Sequence, residues 1–97
     1  MRGSKIMSDE FRKELDSLKL GTSAFKVVCY LSFKDEELKP SDIAKGLGMN
    51  ASTVRARLAE LKDSGLLSST PSGYLSNLTP YDILMKLYRD IVEGMRG

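Results

Sequence analysis

The 97-residue sequence predicts a mainly α-helical fold with one small β-hairpin, and three observations carry that expectation. Apolar residues recur every three to four positions along most of the chain, the spacing of helices with one buried face. Gly21, Gly48 and Gly65 fall between those stretches, where helices stop. After Gly65 the texture changes: two short runs, Leu66–Thr70 and Tyr74–Leu78, flank Pro71-Ser72-Gly73, the pattern of two strands joined by a turn.

Each element has its own local reason. Met1-Arg2-Gly3-Ser4 reads as the leader of an expression vector, and residues 1–7 are expected to lie outside a single domain spanning 8–97. A short helix is expected over 8–18, capped by Ser8, with Phe11, Leu15 and Leu18 at helical spacing. A second runs from a Thr22 or Ser23 cap to about Phe33; it is apolar on nearly every side and should be the most buried. Lys34-Asp35-Glu36-Glu37 reads as a solvated loop. A third, short helix opens at Pro40-Ser41-Asp42 with Ser41 as its cap and stops at Gly48. Asn50 caps a fourth, about 51–64, and Gly65 takes the left-handed position after it. The hairpin spans 66–78. Thr79, Pro80 and Asp82 then start a final helix that runs to about Gly94.

Composition excludes several classes of function. With no His and one Cys, neither a zinc site, a disulfide nor His-dependent catalysis is expected. No apolar run reaches the ~18 residues of a membrane helix, and no secretory segment is visible, so the expected location is the cytoplasm. Cys29 sits in the apolar run Ala24–Leu31 and reads as a buried, inert thiol. No spacing pairs a nucleophile with a base, and Gly46-Leu47-Gly48 lacks the context of a phosphate loop. Neither an enzyme nor a cofactor is expected. The net charge is only +2 and is gathered in no tail or patch.

The informative segment is about 40–65. Two short helices meet at a sharp turn made by Gly48-Met49-Asn50, and Ile43, Ala44, Leu47, Val54, Leu58 and Leu61 supply the apolar positions that pack them together. This is a helix-turn-helix, with the outer face of its second helix free to enter a DNA major groove. The run Ser41–Leu67, and within it Ser52-Thr53-Val54 followed by Leu58, Leu61 and Gly65-Leu66-Leu67, resembles the winged-helix regulators of prokaryotes. The multiple-antibiotic-resistance, arsenic-repressor, leucine-responsive and archaeal sugar-responsive groups all read similarly here. The resemblance implies a winged helix-turn-helix with N- and C-terminal helices, residues 66–78 being the wing.

On the expected recognition helix, Val54, Leu58 and Leu61 form the buried stripe and Ser52, Ala56, Ala59 and Asp63 lie opposite. Arg55 and Lys62 flank one side; Arg57 lies on the other, with Thr53 and Glu60 further round. Ser52, Thr53 and Arg55 are expected nearest the bases, with Ala56 against thymine methyls. Lys39, Ser41, Lys45, Asn50, Arg57 and Lys62 complete the expected DNA-contacting set, mostly toward phosphates. Arg57 has an alternative role in an ion pair within the domain. The wing departs from a DNA-gripping one, because no Lys or Arg lies between Lys62 and Lys86.

In the last helix Tyr81, Leu84, Tyr88, Ile91 and Met95 alternate at spacings of three and four, a heptad seam. Ile83, Leu87 and Val92 widen the apolar face beyond what a small domain covers. A homodimer is expected through Tyr81, Leu84, Leu87, Tyr88, Ile91 and Met95, joined by Phe11, Leu15 and Leu18 of the first helix. The expected function is a dimeric, sequence-specific reader of double-stranded DNA that regulates transcription and is nucleoid-associated when bound. The alternative is a winged-helix protein-interaction or assembly module without specific DNA binding.

Overall fold

A computed structural model describes residues 9–96. The expected leader and the Ser8 cap lie outside the described residues. The order is α1 (Asp9–Asp16), α2 (Ser23–Lys34), α3 (Pro40–Leu47), α4 (Ala51–Asp63), β1 (Leu67–Thr70), β2 (Gly73–Ser76) and α5 (Pro80–Arg96). The fold is a winged helix-turn-helix, mainly helical with one antiparallel hairpin.

The helix ends follow from particular residues. Thr22 caps α2 by accepting a hydrogen bond from the Phe25 N–H at 3.2 Å. Asn50 caps α4 by accepting from the Ser52 N–H at 2.8 Å. The α3 cap differs from expectation. Lys39 occupies the cap position, Pro40 the first turn, and the Asp42 carboxylate reaches back to the Lys39 N–H. Proline lacks an N–H that a helix start would leave unpaired anyway, so it displaces the boundary by two residues and puts Ser41 inside the first turn. Gly48 and Gly65 both adopt left-handed backbone. In each case the following N–H bonds the carbonyl five residues earlier, Met49 to Ala44 at 2.9 Å and Leu66 to Leu61 at 3.0 Å. That is the geometry that ends a helix on glycine. Thr79 and Asp82 cap α5 reciprocally, each side chain accepting from the other's N–H.

Every element except β2 contributes a buried residue to the core, and β2 packs Tyr74 against it. Leu15, Val27, Val28, Leu31, Ile43, Val54, Leu58, Leu66 and Ile83 are fully buried, with Leu61, Leu67 and Leu78 nearly so. Leu15 therefore belongs to the domain's own core and leaves the expected dimer set; Leu18 and Leu87 are partly buried against the same core. α2 is central but not buried all round. Phe25, Val27, Val28, Leu31 and Ser32 face inward, while Phe33 stays exposed. Burying each large apolar side chain contributes roughly 1.5–3 kcal/mol.

The loop after α2 carries a strand contact that its charge concealed. Leu38 pairs with Tyr74 through both backbone bonds, 3.0 Å and 2.8 Å, adding a one-residue third strand to the hairpin. Gly73 permits this approach: a Cβ there would collide with the Leu38 carbonyl oxygen. The buried Ser32 hydroxyl bonds the Val28 carbonyl and the Ser76 hydroxyl, both at 2.7 Å, and fixes the hairpin to α2 from the other side. Among the described residues, no helix is long and apolar enough to cross a membrane.

Candidate nucleic-acid interface

The apolar positions of α3 and α4 pack them across the Gly48-Met49-Asn50 turn, so the opposite face of α4 points away from the core. Ser52, Arg55, Ala56, Ala59, Glu60, Lys62 and Asp63 are exposed there, and Thr53 is half-buried. The first turn of α4 is wired to its cap. The Ser52 hydroxyl donates to the Asn50 Oδ1 that also accepts the Ser52 N–H. The Ser52 oxygen is left as an acceptor, and the Asn50 amide nitrogen points to no partner among the described residues. The start of α4 thus offers N–H donors, the positive end of the helix dipole and one hydroxyl acceptor together.

The cations divide into two groups. Arg55 is exposed and makes no ion pair among the described residues. Lys39 at the start of α3, Lys45 on α3 and Lys62 in the last turn of α4 are likewise exposed. Lys62 lies ten residues beyond Ser52, or ~15 Å along the axis, too far to share one contact with it. Arg57 differs. Its guanidinium holds Glu60 at 2.7 Å and the Ser23 hydroxyl of α2 at 3.4 Å, and its Nε is buried without a partner. Its geometry is that of the internal ion pair, with the side chain lying against the domain. Ser41, not being a cap, presents its hydroxyl on the exposed first turn of α3.

The hairpin tip is neutral and largely self-satisfied. The Thr70 hydroxyl accepts from the Ser72 N–H and bonds the Gly73 carbonyl, and Asn77 bridges Ser68 and the Gly65 carbonyl. Ser69 and Ser72 keep exposed hydroxyls.

Residues 24–69 match the family model described as bacterial regulatory protein, arsR family. The chain carries a helix-turn-helix regulator domain. The matched segment runs from α2 to β1 and contains α3, the turn and α4 whole. That model is of the arsenic-repressor group, one of those the sequence resembles. A domain of this kind is the DNA-binding part of a transcription regulator, and the exposed face of α4 is the regulator domain's candidate contact surface. Comparison with curated proteins found no match, and neither did comparison with solved structures. α1, β2 and α5 lie outside the matched segment.

α5 has two apolar faces. Ile83 and Leu87 point into the core, while Tyr81, Leu84, Tyr88, Ile91 and Met95 are exposed, between 53% and 79%. Phe11 is half-buried, lying over Gly65. On the buried side of the helix sits a residue the sequence did not flag. Lys86 is fully buried, its ammonium 2.9 Å from Asp90 and 5.7 Å from the centre of the Phe25 ring. A helical-wheel reading sees an apolar stripe interrupted by a charge. The long stem packs among apolar neighbours while the head finds a carboxylate one turn on.

Proposed function

We propose that the chain is a homodimeric, sequence-specific double-stranded DNA-binding protein that regulates transcription without catalysis. The first turns of α4 enter the major groove. Ser52, Thr53, Arg55 and Ala56 meet base edges, and Asn50, Ser41, Lys39, Lys45 and Lys62 meet phosphates. The observation that carries this reading is Arg55: an exposed, unpaired guanidinium beside small residues at the start of the outer helix of a helix-turn-helix. Small side chains let the helix sit deep, and the guanidinium can take a guanine or a phosphate in two hydrogen bonds. The exposed row on α5, together with Phe11 of α1, joins two copies, so that two α4 helices face successive turns of one duplex, ~34 Å apart. The protein acts in the cytoplasm, on the nucleoid when bound.

A neutral wing favours a second reading, in which the same surface docks on protein instead of DNA. Selection of bound fragments from random duplexes separates the two. The regulator reading expects a palindromic site with half-sites one helical turn apart and an affinity that falls as salt rises. Recovery of unenriched sequence, with no salt-sensitive complex, would leave the protein-docking reading standing.

A further inference from the structure

The uncovered side of α2 carries a cavity away from the exposed face of α4. Cys29, Tyr30 and Phe33 succeed one another along it, the buried Phe25 borders it, and Leu47 at the end of α3 closes one wall. With Lys26 and Lys34 they line a cavity of about 520 Å³, inside the ~300–1,000 Å³ usual for small-molecule sites. Its floor is apolar, and no carboxylate lines it. Neither lysine has an acidic partner among the described residues.

The two cations are not equivalent. Lys34 precedes Asp35-Glu36-Glu37, whereas the chain has no acidic residue between Asp16 and Asp35. Lys26 therefore has no acidic neighbour along its own helix, and no ion pair among the described residues; Arg57, which reaches Ser23 of the same helix, is already neutralised by Glu60. The Lys34 ammonium lies 5.4 Å from the centre of the Tyr30 ring and closes the far end. Tyr30 itself is held in place because its hydroxyl packs against Gly46 of α3, where any Cβ would overlap it. The cavity is thus bounded by both α2 and the first helix of the helix-turn-helix.

We infer that this cavity binds a small apolar carboxylate. Its carboxylate pairs with Lys26, and its hydrocarbon body lies over Cys29, Phe33 and Leu47 toward Lys34, a span of ~12 Å along α2. This site is independent of whether α4 reads DNA.

The test uses the full-length chain and decanoate, with the chain's one cysteine as reporter. Saturating decanoate slows alkylation of Cys29 by iodoacetamide at least tenfold, and amide shifts cluster on α2 and the end of α3. Decanol and decylamine need at least fivefold higher concentration for equal protection. Lys26→Glu weakens decanoate tenfold or more and makes decylamine the better protector; Lys34→Glu weakens it less. Phe33→Asp, at an exposed position, removes protection while the protein stays folded. Unprotected Cys29 in the wild type, or equal protection by all three compounds, overturns the proposal. So do shifts centred on Leu84 and Ile91, which would place the probe on α5.

Discussion

α4 and α5 each bury one stripe in the same core and differ in what they show to water. α4 exposes Ser52, Arg55, Ala56, Ala59 and Lys62, with the acids Glu60 and Asp63 toward its C-terminal end and no apolar side chain larger than alanine. α5 exposes two tyrosines, a leucine, an isoleucine and a methionine in one row. An exposed row of that size forgoes roughly 1.5–3 kcal/mol per large side chain that a covering surface would recover. α4 has no such gain available; its outer face suits a polyanion that meets small residues, hydroxyls and a free cation. One domain therefore presents a polar face, proposed to read DNA, and an apolar face, proposed to pair two copies, and the two can be perturbed separately.

The largest effect is expected on the apolar face. Leu84→Glu or Ile91→Glu places a carboxylate in the centre of the proposed seam, and dimer affinity should fall at least 100-fold, ~2.7 kcal/mol. Sedimentation equilibrium measures this. Both side chains are exposed in the single chain, so its melting temperature should hardly move once the proteins are compared as monomers. A wild-type chain that stays monomeric at high micromolar concentration would remove the pairing role of α5 and end the comparison.

The buried side of α5 carries an ion pair of its own, Lys86 with Asp90. Asp90→Ala should destabilise the domain by about 3 kcal/mol in urea unfolding, because it leaves a buried ammonium without its carboxylate. Lys86→Met keeps the stem and removes the charge, and should stay within ~1 kcal/mol of the wild type or exceed it. Equal losses in both variants would mean that the stem, not the charge, is what the core depends on.

How much of this was visible beforehand differs between the two helices for a physical reason. The caps and stops around α4 are local events, encoded by Asn50, Gly48 and Gly65, and the buried stripe Val54, Leu58, Leu61 follows from helical period alone. The sequence favours a cap two residues too late in α3 because Ser41 and Pro40 both favour a helix start, and proline's missing N–H decides between them. What stayed hidden depends on distant parts of the chain. Leu38 pairs with Tyr74 across thirty-five intervening residues, Leu15 reaches the core only because α1 folds back, and Arg89 secures that return by a two-pronged bridge to Asp16. The same holds for Arg57: its sequence position allows either a phosphate or Glu60, and only the proximity of Ser23 favours the internal pair.

A smaller effect is expected where the hairpin between α4 and α5 is anchored. Gly73→Ala forces a side chain onto a positive φ and against the Leu38 carbonyl, which should cost about 2 kcal/mol. The Leu38–Tyr74 amides should lose hydrogen-exchange protection first, while the apolar row on α5 still pairs. If pairing fails together with the bridge, the two faces are coupled through the hairpin, and the comparison must be redrawn as one surface.

The smallest and most discriminating effect separates two arginines on α4 that are two residues apart. Arg55 has no hydrogen-bond or ion-pair partner among the described residues, so Arg55→Ala should leave stability within ~0.5 kcal/mol. DNA affinity should fall five- to tenfold, about 1–1.4 kcal/mol. Fluorescence anisotropy against salt then tells what Arg55 touches. A phosphate contact reduces the slope by about one, whereas a base contact keeps the slope and relaxes sequence preference. Arg57→Ala should do the reverse, lowering stability through the lost tie to Ser23 and Glu60 while DNA affinity stays within about twofold. The pair works as a control on itself, since both changes delete the same charge from the same helix. If the two lose DNA affinity equally, net charge rather than placement governs binding, and the reading face of α4 is no more than a cationic surface.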